Sequence, residues 1–155
     1  MIEIPSSQNA DSRTAIEKVS KEVLLANSRQ HIRDVKEAMN WMAWKLREIS
    51  ISHDWTKVTH IDEFHDDFSA SQNGFQGDFK EQHWFKDLHL QERHHLLDRC
   101  PEDVNLFDVL EKIADCVMAG MARSGSVYDD TLSPELLEKA YQNTVELLKK
   151  ETIVK

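Results

Sequence analysis

The sequence predicts an all-α fold, a single compact bundle of about five to seven helices. Glycine and proline are scarce, at four and three residues among 155, whereas turn-rich β folds use both often. Apolar residues recur at spacings of three and four over long stretches, which is typical of amphipathic helices. The length fits one domain, and we expect a flexible leader over residues 1–12 followed by one domain over residues 13–155.

In the first half of the chain, helical periodicity begins near Thr14. Ser28 is expected to cap a second helix, unless the two form one long helix with a bend. The segment 50–59 is rich in β-branched and capping residues, so we expect a helix end, a turn and a short helical piece there. Residues 60–72 are predicted to be helical, and the glycine-containing segment 71–78 is predicted to be a loop.

In the second half, residues 79–99 are expected to form one or two short helices rich in histidine and aromatic residues. Pro101, followed by two acids, is expected to start a helix that runs to about Arg123. A final helix is predicted to begin at Ser133-Pro134 and to end near Lys150.

The formal charge of −9 disfavours a surface for duplex nucleic acid, because such binding depends on Lys and Arg neutralising phosphates. It leaves room for a local basic pocket that binds one small phosphate. Cys100 and Cys116 have no metal-site spacing and indicate no disulfide framework, so a cytoplasmic location is expected. Neither a signal peptide nor an apolar run long enough to span a membrane is apparent.

Eight histidines are present, and all lie between positions 31 and 95. Imidazole and carboxylate together suit Mn, Fe, Co, Ni or Zn, and carboxylates alone suit Mg. We therefore expect one or two divalent metal ions. His53 and Asp54 are adjacent, so both could reach one ion only at a helix end or an irregular turn. A lone His-Asp pair is more often part of a surface turn.

His31 and Asp115 extend this pattern on longer helices. His31 lies on the apolar face of its predicted helix, either as a metal ligand or as a hydrogen-bonded core histidine. Asp115 shares a helix face with Asp108 and Glu111, and that face is apolar at both ends. Because covered carboxylates need partners or a cation, Asp115 is a candidate ligand and Asp108 is the second choice. A solvated acidic face is the alternative.

Four further side chains are candidates for the same site. Lys57 follows Asp54 by three residues and could hold a phosphate as a point charge. His89, His94 and His95 form a second histidine group in HLQERHHL. The alternative for at least one of these histidines is an exposed position on an amphipathic helix, and for Lys57 it is a solvated lysine.

The order of His31, His53-Asp54 and Asp115 resembles the signature of the HD superfamily of metal-dependent phosphohydrolases, over roughly residues 28–125. Lys57 in HDWTK and the later histidines are similar to the HD-GYP-like branch and to small phage and bacterial HD-like proteins. The GYP triplet itself is absent. The resemblance implies an HD-domain-like helical fold. It also implies a first metal held by His31, His53, Asp54 and Asp115, and a second metal or the phosphate contacted by His89, His94 or His95.

The function expected from these residues is hydrolysis of a nucleotide or another small phosphate ester. The catalytic residues would be Asp54, Lys57 and His94: Asp54 bridging the ions or orienting the water, Lys57 stabilising phosphate charge and His94 protonating the leaving oxygen. Arg93 and Arg123 would assist in substrate binding. Four tryptophans could stack on a base, although tryptophans at this spacing are more often in the core: Trp41, Trp44, Trp55 and Trp84.

Two other functions remain open from the sequence. The first is an inactive HD-like module that binds a nucleotide or a protein, for example a phage regulator acting in the host cytoplasm. The second is a plain helical bundle with incidental histidines that oligomerises. Neither requires a membrane, and a homodimer is compatible with all three functions.

Overall fold

The computed structural model describes residues 1–7, 18–72, 78–128 and 130–155. Within this part of the chain the fold is all-α, as the sequence predicts, with five α-helices and two short strands. The helices are α1 (Lys21–Ser52), α2 (Trp55–Thr59), α3 (Ile61–Gln72), α4 (Leu106–Ser124) and α5 (Pro134–Glu151), and the strands are β1 (Ile2–Ile4) and β2 (Thr152–Val154).

Contacts between residues divide the chain into two compact units. The first unit comprises residues 1–47 and 144–155, and the second comprises residues 48–143. In the first unit β1 pairs with β2 in parallel, with Ile2 opposite Thr152. Residues 2–4 of the predicted leader are therefore a strand, while residues 8–12 lie outside the described part. A strand at the start of the chain gains backbone hydrogen bonds that a loose leader lacks.

Helix α1 is one continuous helix, so Ser28 is an interior residue and does not cap a second helix. Its hydroxyl donates to the Leu24 carbonyl oxygen at 2.8 Å. The apolar face that carries His31 is only partly covered: Val35 and Leu46 are 47% and 37% exposed, and Ala38, Met42 and Ile49 are half-buried. Periodicity indicates which residues share a face and does not specify what covers it. Among the described residues, no helix is long and apolar enough to cross a membrane.

The second unit has a small aliphatic core and a separate aromatic cluster. Leu96, Val104, Val109 and Ala140 form the core, and α5 reaches it through Ala140. The aromatic cluster contains Phe64, Phe68, Phe79, Trp84 and Phe85, which lie on α3 and on the short turns after it. A 3₁₀ turn at Phe79–Glu81, a π-helical turn at Trp84–Leu88 and a 3₁₀ turn at His89–Gln91 make up the predicted short helical region.

Helix α4 begins later than the proline signal suggested. Asn105 caps it by accepting from the Phe107 N–H at 2.9 Å, and Asp108 accepts from the Asn105 N–H at 2.8 Å. This reciprocal capping satisfies N–H groups that have no partner inside the helix, an arrangement worth about 1 kcal/mol. The helix ends at Gly125, whose left-handed φ of 72° permits the turn.

Candidate metal centre

His53 and Asp54 lie in the tight turn between α1 and α2. Asp54 has φ 56° and ψ 25°, the only left-handed backbone of a non-glycine residue in the described ranges. An L-residue in this conformation costs roughly 1–2 kcal/mol, and aspartate is among the residues that tolerate it best. The turn places the two side chains side by side, with His53 Nε2 3.5 Å from Asp54 Oδ2.

The carboxylate of Glu92 holds this turn. It accepts from the Asp54 N–H at 2.7 Å, from the Thr56 N–H at 3.0 Å and from the Thr56 hydroxyl at 2.5 Å. Glu92 and Thr56 are both buried. Burial alone would raise the pKa of Glu92, but the neighbouring His89, whose Nδ1 lies 3.6 Å away, and the hydrogen bonds from Thr56 outweigh it and lower the pKa to about 2. The buried carboxylate is therefore ionised near neutral pH.

His89 and His95 meet beside this turn. The two Nε2 atoms are 2.9 Å apart, and His89 Nδ1 is 2.7 Å from the Thr56 hydroxyl. The indole of Trp84 stacks on the His89 ring with centroids 4.5 Å apart. Burial, together with the neighbouring His94 and His89, lowers the pKa of His95 to about 3. His95 is therefore neutral near pH 7, as a metal ligand must be.

The two oxygens of Asp54 face different partners. Oδ1 lies 3.8 Å from His89 Nε2 and 3.7 Å from His94 Nε2, and it is buried without a hydrogen bond. Oδ2 faces His53 and forms an ion pair with Lys57 Nζ. A buried carboxylate oxygen without a donor is energetically costly, and a cation at that position would compensate for it.

Helix α4 supplies two carboxylates from the other side of the cluster. Glu111 Oε1 is 2.9 Å from His53 Nδ1 and 3.2 Å from His94 Nδ1, and Asp115 Oδ1 is 3.7 Å from His53 Nε2. Burial would raise the pKa of Glu111, but His94 and His53 lower it. Burial would lower the pKa of His94, but the adjacent Glu111 and the charges of Asp54 and Asp115 raise it.

Three sets of donor atoms among the described residues are close enough to share an ion, each set lying within 4.8 Å. They are Asp54–His89–His94–His95, His53–Asp54–Asp115 and His53–His94–Glu111. The first two sets share Asp54, and the last contains the hydrogen bond between His53 and Glu111. Ligands at about 2.0–2.2 Å from one ion are themselves about 3–4 Å apart, and the Asp54 and Asp115 oxygens lie 3.5–3.8 Å from the neighbouring imidazole nitrogens. The imidazole and carboxylate donors of these sets suit a transition metal.

The structure brings together seven of the residues singled out in the sequence: His53, Asp54, Lys57, His89, His94, His95 and Asp115. His31 is not among them. It is an exposed residue of α1 in the first unit and belongs to none of the three donor sets of the described residues. Its role as a metal ligand stays a prediction without a geometric basis.

Arg93 and Asp108, two residues singled out in the sequence, form an ion pair with one another. Arg93 Nε and Nη2 donate to the two oxygens of buried Asp108 at 2.7 and 2.8 Å, and Nη1 donates to Asp103 at 3.0 Å. These partners raise the pKa of Arg93, and Asp108 has the largest effect. Arg93 thus stabilises buried Asp108, which also accepts in the α4 cap, and its role in substrate binding stays a prediction. Arg123 is exposed and donates to the Ala119 carbonyl oxygen, and its role in substrate binding stays a prediction as well.

Glu92 and Thr56 were not predicted from the sequence, Trp84 was named only as a tryptophan that could stack on a base or lie in the core, and Glu111 was given no role of its own. Glu111 had a usable signal, because it precedes Asp115 by one helical turn on the same face. Glu92 lies between His89 and His94 in the chain, but only the folded turn shows that its acceptor oxygens face Asp54 and Thr56. No protein-family model, curated protein or solved structure matches this chain.

Proposed function

We propose that the protein is a metal-dependent phosphohydrolase acting on a nucleotide or another small phosphate ester. The observation that carries this proposal is the position of Asp54. One of its oxygens faces His89 and His94, while the other faces His53 and Lys57. A carboxylate placed between two donor sets can bridge two cations, an arrangement used in two-metal phosphate chemistry.

One ion would be held by Asp54, His89 and His95, with His94 within reach, and a second by His53, Asp54 and Asp115. Asp54 Oδ1, buried without a donor, supports this fit. The carboxylate–imidazole contact between Glu111 and His53 is typical of a metal-ligating histidine, whose second nitrogen is fixed by an acceptor. A bound divalent cation would draw charge from phosphoryl oxygens and make water more acidic.

Lys57 is suited to the phosphate itself. Its ammonium group forms an ion pair with Asp54 Oδ2, and its side chain is 37% exposed, so it is accessible from solvent. We expect it to move from Asp54 to a phosphate oxygen when substrate binds, because an ammonium is a mobile point charge. There it would stabilise charge that develops on the phosphoryl group.

His94 is the candidate acid. Its raised pKa favours the protonated ring, which can give a proton to the leaving oxygen. The same imidazole is also a candidate donor to an ion, and a ligating nitrogen must be unprotonated. These two roles exclude each other at Nε2, so His94 has to be tested separately from the other histidines.

Among the tryptophans, Trp55 is the best placed to contact a base. It directly follows Asp54 in the second unit and is 45% exposed. Trp84 is buried against His89, while Trp41 and Trp44 belong to the first unit. An exposed indole next to a phosphate site can stack on a nucleobase, which favours nucleotides over simple sugar phosphates.

The test is phosphate release by untagged protein supplied with Mn²⁺, Co²⁺ or Mg²⁺. The substrates would be nitrophenyl phosphate, bis-nitrophenyl phosphate and a panel of nucleotides. Wild type should turn over at least one of them, and Asp54→Ala should abolish turnover. Asp62→Ala, an exposed carboxylate on α3, is the matched control and should keep the activity. Metal and nucleotide binding without turnover would instead favour an inactive binding module.

A further inference from the structure

Glu92 lies between the two segments that carry the candidate ligands, yet it belongs to none of the three donor sets. Its carboxylate accepts three hydrogen bonds, all from Asp54 and Thr56. We infer that Glu92 is a positioning residue that fixes both the backbone of Asp54 and the proton position on His89. The inference rests on the proposed function, because it concerns the donor set Asp54–His89–His94–His95.

The backbone of Asp54 is in the left-handed region, which costs energy even for an aspartate, so contacts with neighbouring groups help to hold it there. Glu92 Oε2 accepts from the Asp54 N–H at 2.7 Å and Oε1 from the Thr56 N–H at 3.0 Å. These two bonds hold both ends of the turn on one rigid carboxylate, so the direction of the Asp54 side chain depends on Glu92.

The Thr56 hydroxyl connects Glu92 to His89. The Thr56 hydroxyl has a single hydrogen, and it donates that hydrogen to Glu92 Oε1 at 2.5 Å. Towards His89 Nδ1, 2.7 Å away, the hydroxyl can therefore only accept, and Nδ1 must carry the proton. His89 Nε2 is then left with a lone pair, which accepts from His95 Nε2 at 2.9 Å and lies 3.8 Å from Asp54 Oδ1.

Only a carboxylate can perform both tasks. A glutamine at position 92 offers one oxygen and one NH₂ group, and the NH₂ would face either the Asp54 N–H or the two donors of Thr56. At one of these contacts two hydrogen-bond donors would then face each other and repel. Thr56→Val separates the two tasks, because it deletes the hydroxyl that fixes His89 and keeps the backbone N–H that binds Glu92.

The experiment compares wild type, Glu92→Gln and Thr56→Val with a control, Asp108→Asn. Asp108 is also a buried carboxylate that accepts a backbone N–H, but it lies in none of the donor sets. Three quantities are measured at a temperature where all four proteins are folded. They are amide hydrogen exchange of residues 53–57 without metal, the tautomer of His89 from ¹⁵N NMR, and the affinity for Co²⁺ from its visible spectrum.

We expect Glu92→Gln to speed amide exchange in the turn, to mix the His89 tautomers and to weaken Co²⁺ binding about 10- to 100-fold. Thr56→Val should change the tautomer and the affinity with little change in exchange. Asp108→Asn should lower the melting temperature and leave the turn and the affinity intact. If Glu92→Gln itself does not fold, Thr56→Val still tests whether the Thr56 hydroxyl fixes the His89 tautomer.

Unchanged amide exchange of residues 53–57 in Glu92→Gln would show that Glu92 does not fix the Asp54 backbone. A proton retained on His89 Nδ1 in Thr56→Val would show that Glu92 does not fix the His89 tautomer through Thr56. Faster exchange with unchanged Co²⁺ affinity would show that Glu92 only stabilises the fold, which overturns the positioning role. If wild type binds no Co²⁺, the proposed metal site is wrong and the positioning role is overturned with it. The exchange data without metal would then still show whether Glu92 holds the turn.

Discussion

His53 Nδ1 lies 2.9 Å from Glu111 Oε1, so its other nitrogen is left facing Asp54 and Asp115. An acceptor on one ring nitrogen fixes the tautomer and increases the basicity of the other. We predict that Glu111→Gln weakens binding at the His53–Asp54–Asp115 set by about 10-fold or more. Titration with Mn²⁺ followed by electron paramagnetic resonance would measure this. Glu102→Gln, an exposed carboxylate close to α4, should leave binding unchanged; equal affinity in both variants would contradict the role given to Glu111.

His94→Gln separates the two roles of His94. If this imidazole is the acid, the variant should keep its metal and lose about 100-fold or more in kcat for substrates with poor leaving groups. Its activity on nitrophenyl phosphate, whose leaving group needs little protonation, should fall much less. Parallel metal analysis and rate measurements would decide the matter, since loss of metal would identify His94 as a ligand and not as the acid.

Arg93→Met should destabilise the protein without altering catalysis. The substitution removes the partner of buried Asp108, and an unpaired buried carboxylate costs about 1–3 kcal/mol. The cost stays at the lower end because the Arg93 side chain is 40% exposed and Asp108 still accepts from the Asn105 N–H. Urea unfolding would give the stability difference. A normal unfolding midpoint with a raised KM would restore the substrate-binding role expected from the sequence.

The ion pair between Lys112 and Asp130 should make stability depend on pH at both extremes. Their Nζ and Oδ2 atoms are 2.7 Å apart. The hydrogen bond from Lys112 lowers the pKa of Asp130 below its ordinary 3.8. Burial would lower the pKa of Lys112, but Asp130 and Cys116 raise it above 10.5. The Asp130 contribution is therefore present above about pH 4 and is lost as the pH falls through its folded pKa.

The contribution of Lys112 to stability depends on pH in the opposite direction. It is fully present below about pH 10 and is lost as the pH rises through the folded pKa. The stability difference between wild type and Asp130→Asn should thus form a plateau from about pH 5 to 9 and shrink on both sides. Thermal unfolding across this range would test it. A difference that is the same at pH 3 and pH 7 would be inconsistent with the ion pair.

Local signals in the sequence predicted the helices well. The turn after Ser52, the short helix α2, the end of α4 at Gly125 and the start of α5 at Pro134 each depend on a few neighbouring residues. The predicted start of α4 was wrong because two sequence signals for a helix start lie close together. Pro101 with two acids suits a first turn, but Asn105 and Asp108 form the reciprocal cap that begins the helix.

The candidate site was predictable only in part. His53, Asp54 and Asp115 could be found because their residue types and order suit a metal, and the structure brings these side chains together. The pairing of Arg93 with Asp108 was not predictable, because the two residues are fifteen positions apart in the chain and no local pattern reveals it. Glu92 was missed for the same reason, since its role depends on a turn 36–38 residues earlier.

Asp54 is shared by two sets of candidate metal donors. The decisive measurement is elemental analysis of untagged protein, comparing wild type with Asp54→Ala after reconstitution and washing. We expect about one to two equivalents of a divalent transition metal in wild type and little in the variant, because Asp54 belongs to both sets. Equal metal content in the two proteins, or little metal in either, would contradict it.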